Sequence, residues 1–109
     1  MRIYTILPIR KVETGHYVID DPTKPAHKEI LSSTPIYIIE EKLGGFFLNS
    51  YTEDGIWVGD TWHPNVEEAK EQAEFIYKAR ITKWEDIPEE IEKPIEYVLK
   101  QFNKLSSYN

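Results

Sequence analysis

GGFFLNSYTEDGIWVGDTWHPNVEEAKEQAEFIYK, residues Gly44 to Lys78, is the stretch whose reading decides the fold. Gly44-Gly45 supplies the positive φ angles of a tight hairpin turn, because strand-like residues lie on both sides of it. Phe46 to Tyr51 returns as a strand, Thr52-Glu53-Asp54-Gly55 is a turn with glycine at its end, and Ile56 to Asp60 is the next strand. A helix follows Trp62. Asn65 is its expected cap, with Glu68 three positions on able to reach back, while Glu67, Glu68 and Glu71 suit the positive end of the helix dipole. Val66, Ala69, Ala73, Ile76 and Tyr77 recur at helical spacing and form its buried stripe, leaving Phe75 on the opposite side.

Upstream, Ile36, Tyr37, Ile38 and Ile39 make a continuous apolar run, the pattern of a strand covered on both faces. Arg2 to Ile9 reads as a first strand that Pro8 pushes to an edge or an end. Tyr17 to Ile19 reads as a short second strand, and DDPTKPAHKE as a loop, since its prolines remove backbone donors and its aspartates favour turns. Downstream, Ile81 to Trp84 is an extended link or strand. Proline costs about 3 kcal/mol inside a helix, so Pro88 to Lys93 is a short turn and a second helix starts at Pro94. Ile95, Val98, Leu99, Phe102 and Leu105 form that helix's apolar stripe, and the tail from Ser106 is expected to fray. The expected fold is α+β: a single domain over residues 1–109, with an antiparallel β meander around Ile36, Phe47 and Trp57 and two helices packed on it.

A chain of 109 residues has enough interior for one core, and its 40% apolar and 13% aromatic content is ordinary for a folded domain. Cysteine is absent, which excludes disulfides, thiolate catalysis and Cys-ligated metal in this chain. No apolar run approaches the ~20 residues of a membrane span, and the N-terminal stretch has no secretory core, so no membrane partner and a cytoplasmic setting are expected. The net charge of −6 is uneven: residues 1–35 carry five Lys/Arg against four Asp/Glu, and residues 36–109 eight against fifteen. Such acidity repels phosphate backbones and disfavours nucleic acid; it suits a basic protein partner, or serves solubility alone.

Three constellations bear on chemistry. Asp60 and His63, three residues apart near a strand end, are candidates for an acid–base pair or a small metal-dependent hydrolase, with His16 as a further ligand. The competing reading gives Asp60 to the turn and His63 to the helix start, and it is preferred because helix termini need such partners. The second constellation is aromatic: strict alternation places Ile56, Val58 and Trp62 on one side of the strand and Trp57 on the other. Trp62 is expected in the core, and Trp57 is divided between core and contact surface. The third is the acid of the first helix and the turn after it, including Glu67, Glu71 and Glu74, which is either a docking surface for a basic protein or a solvated face. No phosphate loop or nucleophile elbow is present, and no cofactor or metal is implied.

The stretch DGIWVGDTWHPNVEEAKEQAEF, Asp54 to Phe75, resembles small uncharacterised bacterial proteins in which a strand ending in GDTWH leads into an EEAKEQAEF-type helix. Some small acidic proteins of that sort look like immunity proteins, which neutralise a cognate bacterial toxin. The resemblance implies a class and no residue roles. The expected function is therefore a non-enzymatic protein-binding module, in its most concrete form an immunity or antitoxin-like inhibitor of a basic toxin, contacting it through Trp57, Asp60, Glu67, Glu71 and Glu74. A metal-dependent hydrolase using Asp60 and His63 and a homo-oligomeric regulatory module are the alternatives.

Overall fold

The computed structural model describes residues 1–18, 23, 27–32 and 34–106. The strands are β1 (Arg2–Ile6), β2 (Lys11–Val18), β3 (His27–Ser32), β4 (Ile36–Lys42), β5 (Gly45–Tyr51), β6 (Trp57–His63) and the short β7 (Glu85–Asp86). The helices are α1 (Val66–Tyr77) and α2 (Pro94–Ser106). A five-stranded antiparallel sheet runs β6-β5-β4-β1-β7, and β2 pairs with β3 in a separate two-stranded sheet. The fold is α+β, with the expected meander at β4, β5 and β6.

The apolar run of β4 fixes the layering. Ile36, Tyr37, Ile38 and Ile39 are all fully buried, so successive residues find a core on each side of the sheet. On one side Tyr37 and Ile39 join Ile3, Leu48, Ala69, Ala73, Tyr77 and Ile81 beneath α1, whose alanines let the helix approach closely. On the other, Ile36 and Ile38 join Tyr4, Ile87 and Val98 beneath α2. Edge-on ring pairs reinforce both layers: Tyr37 with Tyr77 at 6.4 Å and Tyr4 with Tyr97 at 6.0 Å between centroids. Tyr77 also anchors the chain after β1, donating to the Pro8 carbonyl at 2.6 Å while the Arg10 guanidinium stacks on its ring. The two helices are offset. α1 lies over β4, β5 and β6, whereas α2 packs near β1 and reaches β5 only at Tyr51 and the turn at Gly55, so the rest of the second sheet face formed by β5 and β6, around Trp57, Asp60 and Trp62, is left exposed.

Several sequence expectations change. The positive φ angles of the first hairpin fall on Leu43 and Gly44, not on Gly44-Gly45, and Gly45 already pairs with Lys42. The second turn forms at Thr52–Gly55, closed by the Gly55 N–H to the Thr52 carbonyl at 2.9 Å, with φ +82° at Gly55. The strand expected at Tyr17 extends back to Lys11, and the loop expected over residues 20–29 lies partly outside the described residues; from His27 the chain is strand. β1 ends at Ile6, before Pro8, because proline cannot donate to the ladder. Pro94 does open a new helix, as its missing N–H requires. Among the described residues no helix is long and apolar enough to cross a membrane.

Candidate functional site on the open half of the sheet

Register assigns the residues of the uncovered face. Phe47 pairs with Trp62, Asn49 with Asp60, and Tyr51 with Trp57, and directly paired residues share a face. The same count breaks the alternation along β6: Ser50 pairs with Gly59 but Tyr51 with Trp57, so Val58 is an extra residue and a bulge reverses the parity. Strict alternation had put Trp57 and Trp62 on opposite sides; the bulge brings both to the open face with Asp60 between them.

Both indoles are exposed and both are held. Trp57 is 55% and Trp62 51% accessible, which removes Trp62 from the core where the sequence placed it. The Trp57 Nε1–H donates to Asn49 Oδ1 at 3.2 Å, laying its ring across β5. Trp62 lies against Gly45, where a Cβ would stand 2.4 Å from the indole. Only glycine permits that approach. Phe47 and Asn49 are half-buried between them, while Asp60 is exposed with no ion-pair partner among the described residues.

The sheet separates Asp60 from His63. Their odd spacing beyond the bulge sends His63 to the α1 side, where it is 7% accessible. Its Nε2 meets Thr61 Oγ1 at 2.7 Å and its Nδ1 meets Glu68 Oε1 at 3.4 Å. Hydroxyl, imidazole and carboxylate thus stand in the order of a nucleophilic triad. Here the chain joins the end of β6 to the first turn of α1, so both ring nitrogens have a structural use. Asn65 caps α1 as expected, its Oδ1 accepting the Glu68 N–H at 2.8 Å, but the Glu68 carboxylate turns to His63 instead of closing a capping box. Asp60 and His63 cannot work on one substrate atom from opposite faces, and among the described residues no three His, Asp or Glu side chains converge as a metal site. The side chain of His16 lies outside the described residues.

The acidic helix residues also lie across the sheet from Trp57 and Asp60. Glu67 and Glu71 are exposed on the outer face of α1, beside Phe75, which is 76% accessible. Glu74 is withdrawn from that surface: its Oε2 accepts the Ile81 N–H at 2.8 Å and closes the chain after the helix. Of the five expected contact residues, Trp57 and Asp60 therefore form one surface, Glu67 and Glu71 a second, and Glu74 a structural link.

Among the described residues, clefts open on both sides of the sheet. One of about 190 Å³ opens on the α1 side between Val58, Thr61 and Ile76. Another, about 200 Å³, lies by β1 and α2, lined by Tyr4, Lys83, Glu85 and Lys104. In it Tyr4 donates to Glu85 Oε2 at 2.9 Å and Lys83 lies 3.1 Å from Glu85 Oε1. Burial, then the Glu85 contact, pushes the Tyr4 phenol well above its ordinary range, while hydrogen bonds from Lys83 and Tyr4 hold Glu85 below the usual carboxylate range. The carboxylate stays ionised with Lys83 beside it, and the phenol holds its proton.

Sequence reasoning missed Trp62, Phe47, Asn49 and Gly45 as parts of one surface. A signal was present in Gly59, since an isolated glycine inside a strand pattern marks a bulge and a bulge reverses the faces beyond it. Comparison of the chain with protein-family models, curated proteins and solved structures gives no match.

Proposed function

We propose that this chain is a non-enzymatic protein-binding module whose contact surface is the open half of the sheet, with Trp57 and Trp62 as anchors on either side of Asp60. The observation that carries the reading is that two indoles, each more than half exposed, both rest on β5, one hydrogen-bonded to Asn49 and one packed against Gly45. Large aromatics give much contact area for little rotamer entropy, and side chains already ordered before binding lose less on binding. Large aromatics exposed together on one face mark a contact surface more than singly scattered ones do. The split of Asp60 from His63 supports a binding role over the hydrolase alternative.

The test compares proteins retained from native cell extract by the wild-type chain and by Trp57→Ala, Trp62→Ala and Glu67→Lys/Glu71→Lys variants. A protein kept by the wild type and the charge-reversed variant but lost by both alanine variants is the expected result. Equal retention by all variants would remove the reading.

One observation favours a second surface: Phe75, largely exposed beside Glu67 and Glu71 on α1. In the immunity or antitoxin-like form of the proposal, drawn from the resemblance of Asp54 to Phe75, this acidic face meets a basic toxin. Selective loss of a basic protein from the Glu67→Lys/Glu71→Lys variant would move the contact there.

A further inference from the structure

We infer that the partner presents an extended, cationic segment that adds as a strand to the free edge of β6 and sets an arginine or lysine against Asp60, between the Trp57 and Trp62 indoles. This rests on the protein-binding reading and states what kind of partner that surface takes.

Three observations lead to it. First, β6 ends the sheet, and among the described residues only β5 pairs with it. Natural edges are guarded by charged side chains, proline, bulges or shortness, and β6 carries one bulge, at Val58, and one charge, Asp60. β7, at the other edge, is two residues long, whereas β6 spans seven with neither Lys nor Pro, and Gly59 to His63 continues regularly past the bulge. An added strand finds unpaired backbone donors and acceptors there, the basis of recognition by strand addition.

Second, the face reads indole, carboxylate, indole. Asp60 is the sole ionisable side chain of β6 on that face, and no described cation pairs with it. A guanidinium or ammonium over an indole face is attracted by the ring quadrupole, and a carboxylate at the same spot adds a charge-assisted hydrogen bond. An anionic side chain meets the reverse of both.

Third, a second copy of this chain is a poor occupant. Its own β6, WVGDTWH, brings no Lys or Arg to face Asp60, and two chains of net charge −6 repel. A basic segment from another protein satisfies the edge, the indoles and the charge together.

The experiment uses the whole chain and three synthetic nonapeptides of alternating valine and threonine: one with a central arginine, one with a central glutamate, and the arginine peptide with N-methylated backbone amides. Binding is read by tryptophan fluorescence and by backbone amide shifts. The expected result is that the arginine peptide binds at least about tenfold tighter than the other two, shifts β6 amides, and loses that preference in Asp60→Asn, an exposed substitution. Equal affinity for the arginine and glutamate peptides, shifts confined to α1, or no binding up to about 1 mM overturns the inference. So does a concentration-dependent dimer that occludes β6. If the peptides fail while the Trp57→Ala and Trp62→Ala variants still lose a cellular protein, only the cationic-strand inference falls; if both fail, the binding-module reading falls with it.

Discussion

Gly45 shows how much of this surface depends on a single missing side chain. Its N–H and C=O belong to the ladder, but the space above it belongs to Trp62, whose indole would stand 2.4 Å from a Cβ. Gly45→Ala therefore displaces Trp62, and because the indole is half exposed and can shift, the cost should lie at or below the low end of the about 1–3 kcal/mol of core overpacking. Denaturant unfolding should show that loss, accompanied by a red shift of the emission as the ring lifts into water; unchanged emission would mean the contact does not hold the ring. Tyr4 is a second residue with legible consequences. Its hydroxyl gives Glu85 a hydrogen bond across β1 and β7, so Tyr4→Phe should cost about 0.5–1.5 kcal/mol at neutral pH. The same change should also remove a phenol that titrates well above the ordinary range from an absorbance titration, and an unaltered alkaline limb would contradict that.

At the scale of elements, the junction from β6 to α1 turns an edge strand into a helix within a few residues. Asn65 satisfies the Glu68 N–H, Glu68 meets His63, and His63 meets Thr61, so cap, helix and strand end form one hydrogen-bonded chain. Asn65→Ala should destabilise the fold by about 1 kcal/mol, the usual cost of a lost cap, and hydrogen exchange should quicken first in the opening turn of α1. Exchange that stayed slow there would show that the His63 contact suffices. This junction was legible in the sequence because a cap is a local event: Asn65, the glutamates after it and the apolar stripe all lie within one segment. The faces of β6 were not legible. Which residue is extra in a bulge depends on how β6 aligns with β5, and the hydrogen bonds that set that alignment join residues distant in sequence. The long pairing of β2 with β3 was missed for a related reason, since strand preference depends on cross-strand neighbours that lie apart in sequence.

Across the whole molecule, the two helices lie on opposite faces of one sheet, and buried phenols in both layers tie its stability to pH. Burial raises Tyr4, Tyr37 and Tyr51 above the ordinary tyrosine value, so between that value and the folded ones the unfolded chain loses protons that the folded chain keeps. Their contribution is complete below about pH 10 and is lost as pH rises beyond it. Glu85, held low chiefly by Lys83, acts in the other sense: its contribution is present above about 4.5 and fades as pH falls. Thermal unfolding across pH should therefore give a broad plateau with a steep alkaline fall and a gentler acid one, the Glu85 side chain being half exposed and so screened by solvent. A fall that began near neutrality would contradict this assignment. The sequence by itself determined the α+β class, the central β4 strand with apolar residues toward both faces, the meander, the Asn65 cap and the break at Pro94, because periodicity, turn chemistry and capping act within a few residues. Only the tertiary structure decided that α2 leaves the β5–β6 half of its face open, that a bulge brings Trp57, Asp60 and Trp62 together there, and that Asp60 and His63 face apart. Those outcomes follow from strand register and helix placement, which are set by contacts between segments far apart in the chain.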